Sequence, residues 1–408
     1  VDGRGRCAIA AKPLRRGDVV LDAPATVTPI LRFEHATERC WWCLGRLSVR
    51  ARTGAGEGEG GRCSRCQVAF YCCREHQMAD FEKNHRRECK LVAKLQRLPL
   101  LNLEPATTLL RLVLAPDPAA RTTVLELSAP PMTPELIKSS VEAADAVMTV
   151  LRRPDLDRAT LASVAARFNN NNFGVVNEIY SAIAVGIFPR AAMLNHSCKP
   201  NCVLGYRFDE ASGETHIVVR CTAESIAAGE ELCHSYCDTS WHTSKRRARL
   251  QAVYGFECTC VFCTGQDPER VKIERELEKI DSDMDSQLAI DTFFRQTKEE
   301  RHRPGNLSIT GQTHNFAMET RNFALAAATS EALTAIYSQI YSPYHPMVGL
   351  QLHTLADLLS RLPASERTEY PDQRTVLSRA IEVLKLTFGG GEQDPMVRAL
   401  QARLATMQ

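Results

Sequence analysis

The chain has 408 residues, room for two to four domains at roughly 150 residues each. Its 50 Lys and Arg balance 48 Asp and Glu, and the net charge of +2 excludes the broad basic excess of an obligate nucleic-acid binder. No apolar run reaches the ~20 residues of a spanning helix, because Pro189 and Arg190 break the best candidate, residues 180–194, so no membrane partner is expected. Val1 to Arg6 do not resemble a secretory signal, and the lack of an initial Met leads us to expect a short natural N-terminus upstream.

Residues 3–21 read Gly-Arg-Gly-Arg-Cys-Ala-Ile-Ala-Ala-Lys-Pro-Leu-Arg-Arg-Gly-Asp-Val-Val-Leu, with glycine turns between short β-rich runs. Next come cysteines, of which the chain has 16. Disulfide-dense chains are typically small and secreted, so paired cysteines with nearby His in a chain of this size point to metal instead. The order is Cys40-x2-Cys43, Cys63-x2-Cys66, Cys72-x3-His76 and His85-x3-Cys89. A C-x2-C pair sits on a tight knuckle that directs both thiolates at one ion, and an x3 spacing puts two ligands on one helix face. Eight ligands close two tetrahedral zinc sites with no open position, so these ions are expected to be structural.

The text C-W-W-C, C-S-R-C-Q-V-A-F-Y-C and H-R-R-E-C resembles a MYND zinc finger. The resemblance implies interleaved pairing: Cys40, Cys43, Cys72 and His76 on one zinc, Cys63, Cys66, His85 and Cys89 on the other. Three positions depart from the family pattern: His76 stands for the usual Cys, Phe81 for the usual Trp, and one extra residue precedes His85. The gap between the C-x2-C pairs holds a glycine-rich loop, residues 53–61. Cys73 could compete as a ligand, though the family phase favours Cys72.

Residues 90–170 read helical, as in 143–151 and 161–167, with breaks at Pro116, Pro118, Pro130 and Pro131. Then come Phe168-Asn-Asn-Asn-Asn-Phe-Gly174, Met193-Leu-Asn-His-Ser-Cys-Lys-Pro-Asn-Cys202, a β-rich run at 214–220, Gly229-Glu-Glu-Leu-Cys-His-Ser-Tyr236 and Phe256-Glu-Cys-Thr-Cys260. The basic run at 245–249 reads as the solvated face of a helix. Cys258-x-Cys260-x2-Cys263 leaves a tetrahedral site one ligand short, with Cys198 the best fourth candidate and Cys202 in reserve. From Asp267 onward the text is helical: a charged segment at 269–281, then amphipathic stretches at 323–333, 347–361 and 374–388. Turns are expected at Pro343, Pro346, Pro363 and 389–391.

In this order, the Asn195, Gly229 and Phe256 stretches resemble the signature of SET-domain lysine methyltransferases, and with the finger upstream they resemble the SET-and-MYND family. The fold implied is α+β: a β-rich SET domain split by a MYND zinc finger, with a helical insert, a post-SET zinc cluster and an α-helical TPR-like C-terminal domain. The expected boundaries are 1–39, finger 40–89, helical insert 90–170, catalytic core 171–245, post-SET zinc region 246–266 and helical domain 267–408. By matching position, Arg4, Gly5 and Arg6, in an opening hairpin, together with Asn171, Asn195, His196, Tyr236 and Phe256, are the residues expected to bind S-adenosylmethionine. The Asn run also reads as a solvated turn. Tyr236 matches the catalytic tyrosine that orients the amine. The third zinc, on Cys198, Cys258, Cys260 and Cys263, would clip Phe256 onto the cofactor loop.

The resemblance implies methyl transfer to a lysine ε-amine of a protein substrate, histone or otherwise. Deprotonating that amine near neutral pH costs about 4 kcal/mol, which an apolar channel lowers by disfavouring the ammonium. The alternative class is a MYND-type adaptor whose SET domain is weak or inactive. Three structural zinc ions, proline-rich peptide partners for the finger, a monomeric state, no direct nucleic-acid binding, and a cytoplasmic location with the nucleus also open complete the expectations.

Overall fold

The computed structural model describes residues 5–53, 60–100, 103–210, 212–278 and 286–407. Arg4, residues 54–59 of the glycine-rich loop and the end of the charged segment at 269–281 lie outside them.

Short β-ladders build the strand-rich half of the chain, which includes the expected catalytic core. Val19–Pro24 pairs antiparallel with Glu214–Cys221, which pairs on its other side with Cys202–Asp209. Ala182–Ile187 lies between Ile30–Leu31 and Asn172–Val176. The turn at residues 15–18 forms as expected: the Asp18 amide donates to the Arg15 carbonyl at 3.0 Å, and Gly17 takes φ +92, a region that favours glycine. Its flanking strands do not make the expected hairpin. Leu14–Arg15 pairs with Ser225–Ile226 and Val19–Pro24 with Glu214–Cys221, so the turn splays its two arms into different sheets. The Gly17 amide, donating to the Cys221 carbonyl at 2.9 Å, anchors that split.

The finger closes on a helix at Arg86–Leu95, which packs against Leu103–Leu114 of the helical insert. Between them Glu88 and Arg111 form a two-pronged ion pair, 2.5 and 3.0 Å, with both side chains sealed from solvent. Arg111 also donates to the Thr28 carbonyl at 2.9 Å, so one guanidinium ties finger, insert and first strands together. The insert continues through Ala119–Leu125, Pro134–Leu151 and Arg158–Asn171. Thr133 caps the third helix with Pro134 in its first turn, and Asp157 caps the fourth through the Ala159 and Thr160 amides.

Beyond residue 267 the described residues form helices joined by short turns. The apolar stretches read from the sequence are Phe323–Ile340, Pro346–Arg361 and Gln373–Thr387, followed by Pro395–Thr406. Leu352, Leu355, Leu359, Leu377 and Leu384 interlock in their core, each side chain contributing about 1.5–3 kcal/mol by burial. Pro346, expected in a turn, instead opens a helix, with His345 as its cap.

This helical stack docks on the β-half at an unusually close backbone crossing. Arg220 donates to the Phe388 and Gly389 carbonyls at 2.8 and 3.0 Å. A Cβ on Gly389 would lie 2.2 Å from the Tyr206 backbone, and one on Gly205 would lie 2.5 Å from the Gly389 nitrogen. Only two glycines allow these chains to meet. Gly389→Ala should therefore lower stability by about 1–3 kcal/mol through overpacking, read as a reduced melting temperature; an unchanged value would show that the crossing yields freely.

Candidate active site

Three groups of ligand atoms, each within 4.8 Å of one another, assemble from the paired cysteines and histidines: Cys40, Cys43, Cys72 with His76; Cys63, Cys66, His85 with Cys89; Cys198, Cys258, Cys260 with Cys263. A tetrahedral ion with Zn–S of about 2.3 Å separates its sulfurs by about 3.8 Å. The Cys43–Cys72, Cys63–Cys89 and Cys198–Cys263 sulfurs lie 3.8, 3.9 and 3.6 Å apart. All sixteen cysteines are free thiols, so these spacings are not disulfides. Burial and the neighbouring Cys66 and Cys63 sulfurs push the Cys89 thiol up to about 12, a repulsion that a divalent cation reverses. The donor sets thus fit three zinc ions. Cys73 is no ligand: its sulfur accepts from the His76 amide at 3.4 Å and caps the helix Arg74–Asp80. Cys202 lies outside the third group and faces Cys221 across a ladder.

The third group lies against a crossing of two segments of the chain. Asn195–His196 runs parallel to Cys233–His234, and the Ser197 amide extends the pair to the His234 carbonyl at 3.0 Å. Asn201 threads the crossing, donating to the Glu231 carbonyl and accepting from the Cys233 amide, both at 2.8 Å. Tyr236 follows directly. Its amide donates to His196 Nδ1 at 2.9 Å and its hydroxyl to the Leu194 carbonyl at 2.7 Å, while His196 Nε2 lies 3.3 Å from the Cys198 sulfur. A line of contacts therefore runs from metal ligand to imidazole to tyrosine.

Tyr236 also lines a cavity of about 280 Å3 with Phe173, Tyr180, Tyr206, His234 and Tyr254, among others. Ser342, Tyr344 and His345 from the C-terminal helices complete its wall. No Asp, Glu, Lys or Arg is among its described lining residues. Burial, with the neighbouring His196, holds His234 down at about 3, and burial holds His345 down at about 4, so both imidazoles are neutral at physiological pH. Burial keeps the Tyr236 phenol above its ordinary range and therefore protonated.

A SET-domain family model matches residues 5–237, more than half of the chain. The chain belongs to the SET-domain family. The N-lysine methyltransferase SMYD2 of Sus scrofa is 30% identical to it over 296 residues, covering 67% of this chain and 61% of the relative. SMYD2 of Homo sapiens shows the same identity and coverage. The histone-lysine N-methyltransferase ASHR1 of Arabidopsis thaliana is 22% identical over 477 residues, covering 98% of this chain and 93% of the relative. The chain thus spans about three-fifths of the length of the SMYD2 relatives it matches. These findings agree with the SET-and-MYND resemblance.

The residues named from sequence fall in two places. Asn195, His196, Tyr236 and Phe256 are together: the His196 ring lies 5.4 Å from Tyr236 and 6.1 Å from Phe256, and the Asn195 amide donates to Glu231 at 2.8 Å. Gly5 makes a turn at φ +71. The Arg6 guanidinium reaches the Glu126 carbonyl at 2.5 Å, and the Asn171 amide reaches the Ser128 carbonyl at 2.9 Å, so both meet one loop of the helical insert. Asn171 is buried at the end of a helix and Asn172 starts a strand, so the Asn run is not the solvated turn that its composition also suggested.

Sequence reasoning missed His234, Tyr254, Asn201 and the three C-terminal residues. His234 and Tyr254 each lie two residues from a named aromatic, which was the available signal. Tyr344 and His345 are some 108 residues from Tyr236 in sequence and carried none. The basic run also reads differently in three dimensions: it lies on the helix Thr243–Tyr254, but Arg246 is completely buried.

Cys260→Ser should leave the finger's two ions in place while the third is lost, since the third group shares no ligand with them. Metal content falling from three equivalents to two checks this; loss of all three would mean that the sites are not independent.

Proposed function

We propose that the protein is an S-adenosylmethionine-dependent protein-lysine N-methyltransferase. The observation that carries this reading is a cavity with no Asp, Glu, Lys or Arg among its described lining residues, lined by a half-buried tyrosine whose hydroxyl is pinned to a backbone carbonyl. The SET-domain membership and the printed activities of SMYD2 and ASHR1 support it.

Gly5, Arg6, Asn195, His196, Tyr236 and Phe256, with Arg4 beyond the described residues, would hold the cofactor. The His196 and Phe256 rings beside Tyr236 suit a flat base and a sulfonium, which aromatic faces attract. Asn171 fits least well, because its amide is committed to the Ser128 and Arg167 carbonyls and to the Asn170 side chain. When bound, the cofactor supplies an electrophilic methyl group.

The cavity's part is to receive a lysine and strip its charge. With no carboxylate on its wall, it disfavours the ammonium and favours the neutral amine. The Tyr236 hydroxyl, donating to Leu194, turns its oxygen lone pairs outward to accept an amine N–H and aim the nitrogen. So held, the neutral amine would present its lone pair to the methyl group that the bound cofactor supplies, and the proton of the alkylated amine would be lost to solvent. His234 is held too far down to take it as a base. Catalysis rests on alignment and on fixed dipoles. From the family resemblance we also read the finger as a dock for proline-rich peptides, the protein as a monomer, and its location as cytoplasmic with access to the nucleus.

Calorimetry with S-adenosylhomocysteine and a radiolabelled methyl-transfer assay test the reading; no binding at millimolar ligand would favour an adaptor. Tyr236→Phe should keep cofactor affinity and lose turnover by about 10²-fold if orientation is its role, whereas unchanged turnover would remove Tyr236 from the mechanism. Because the reacting amine must be neutral, kcat/KM should rise with pH by close to tenfold per unit below the lysine pKa of about 10.4. His234, already neutral, adds no inflection near pH 6.5. A flat profile from pH 7 to 9 would contradict the unassisted deprotonation.

A further inference from the structure

Behind the third metal group lies a set of buried charges that the proposed chemistry does not use. Arg246 is completely inaccessible, yet its guanidinium donates to Glu274 at 2.8 Å and to the Thr243 hydroxyl at 2.8 Å, and lies 3.8 Å from the Cys263 sulfur. Glu274 belongs to the first C-terminal helix, Pro268–Leu277. It also accepts from the Thr243 amide at 2.8 Å and from Arg270 at 2.7 Å. Arg270, itself 2% exposed, reaches on to the Ile340 and Thr239 carbonyls at 3.1 and 2.6 Å. Ile340 precedes Tyr341, whose hydroxyl donates to Asp238 at 3.0 Å and whose ring stacks on His345 at 4.2 Å, in the cavity wall.

The charge count explains the arrangement. Two arginines and one glutamate leave a net +1 out of water, which is costly unless balanced. A divalent ion held by four thiolates carries a net −2, and Arg246 faces it directly. An N–H donor to a ligating sulfur is the kind of outer contact that orients ligands and sustains metal affinity. The ion thus supplies the counter-charge for a network whose far end is the C-terminal stack.

We propose that Arg246 and Glu274 are positioning residues of the third metal site, and that through them loading of that site is coupled to docking of the C-terminal helices on the catalytic core. Coupling of this kind is reciprocal: whatever strengthens metal binding strengthens docking, and the reverse.

Cobalt(II)-loaded full-length protein tests this, because the all-sulfur third site and the two finger sites, each with one histidine, have distinct ligand-field spectra. Glu274→Gln keeps shape and removes charge; Arg246→Lys keeps charge and loses the fork. In both, release of the all-sulfur cobalt to EDTA should be about 10–100-fold faster, with finger-site release unchanged. Equal release in the variants and the unmutated protein would overturn the proposal. Release of all three ions together would mark a general folding defect, and a measurement on the unmutated protein then decides. There, stripping the third site should speed hydrogen exchange at the Thr243 amide and in the first turn of Pro268–Leu277, while Pro346–Arg361 stays protected. Unchanged exchange at Thr243 would overturn the coupling.

Discussion

The hydrogen bond from the Tyr236 hydroxyl to the Leu194 carbonyl joins residues 42 apart in the chain, and the rest of the catalytic half exists to keep those two segments crossed. The ladder that does so directly is only two residues long, Asn195–His196 against Cys233–His234. Each net hydrogen bond is worth about 0.5–1.5 kcal/mol, so the ladder and the Asn201 contacts supply a few kcal/mol between them. A structural zinc site is worth about 10–16 kcal/mol. The magnitudes place the burden on the third metal group: Cys198 is two residues from His196, and the other three ligands follow Phe256, so one ion fixes both sides of the tyrosine.

The same economy governs the finger. Residues 40–89 are too few to bury a core of their own, and two ions take its place. The finger is not a free appendage, however. His76 presents Nε2 to Glu210 at 3.2 Å, a carboxylate on the loop that joins two strands of the catalytic half, while its Nδ1 faces Cys72 at 2.9 Å. A histidine at this position, where the related fingers carry cysteine, gives the first metal site a second nitrogen with which to touch the neighbouring domain. Glu88 and Arg111 secure the opposite side, against the helical insert.

Ligand spacing is a local property, so eleven of the twelve candidate metal ligands stand out in the text because each lies within a few residues of a partner, whereas Cys198 lies far from its group and rests on the string around Asn195. Asn195, His196, Tyr236 and Phe256 were readable for a different reason: they sit in short, unusual strings that resemble a known signature. What escaped was made by long-range packing. Whether Leu14–Arg15 pairs with its sequence neighbour or with Ser225–Ile226 depends on which sheet edge is open, and that is not written in the hairpin text. The burial of Arg246 was hidden because four charged residues in five look solvated, and the partners that compensate a buried guanidinium, Glu274 and the thiolate cluster behind the helix, lie elsewhere in the chain. Tyr344 and His345 belong to a domain whose sequence carries only helical periodicity, so their place in the cavity wall follows from docking alone.

That docking gives the C-terminal helices a share in the cavity wall. Tyr344 lies between two guanidinium groups, Arg16 from the opening turn and Arg379 from the helical stack, each 4.6 Å from its ring, and its hydroxyl donates to Glu382 at 2.7 Å. Cation–π contacts of this kind contribute about 0.5–1 kcal/mol each where exposed, enough to orient one ring but not to hold two domains together. The close Gly205–Gly389 crossing and the buried Arg246–Glu274–Arg270 network carry that load at separate points. The cavity wall contributed by Ser342, Tyr344 and His345 is therefore held from two sides, since the crossing adjoins Leu204 and Tyr206 of the same cavity and the network reaches Ile340, beside the Tyr341 ring that stacks on His345.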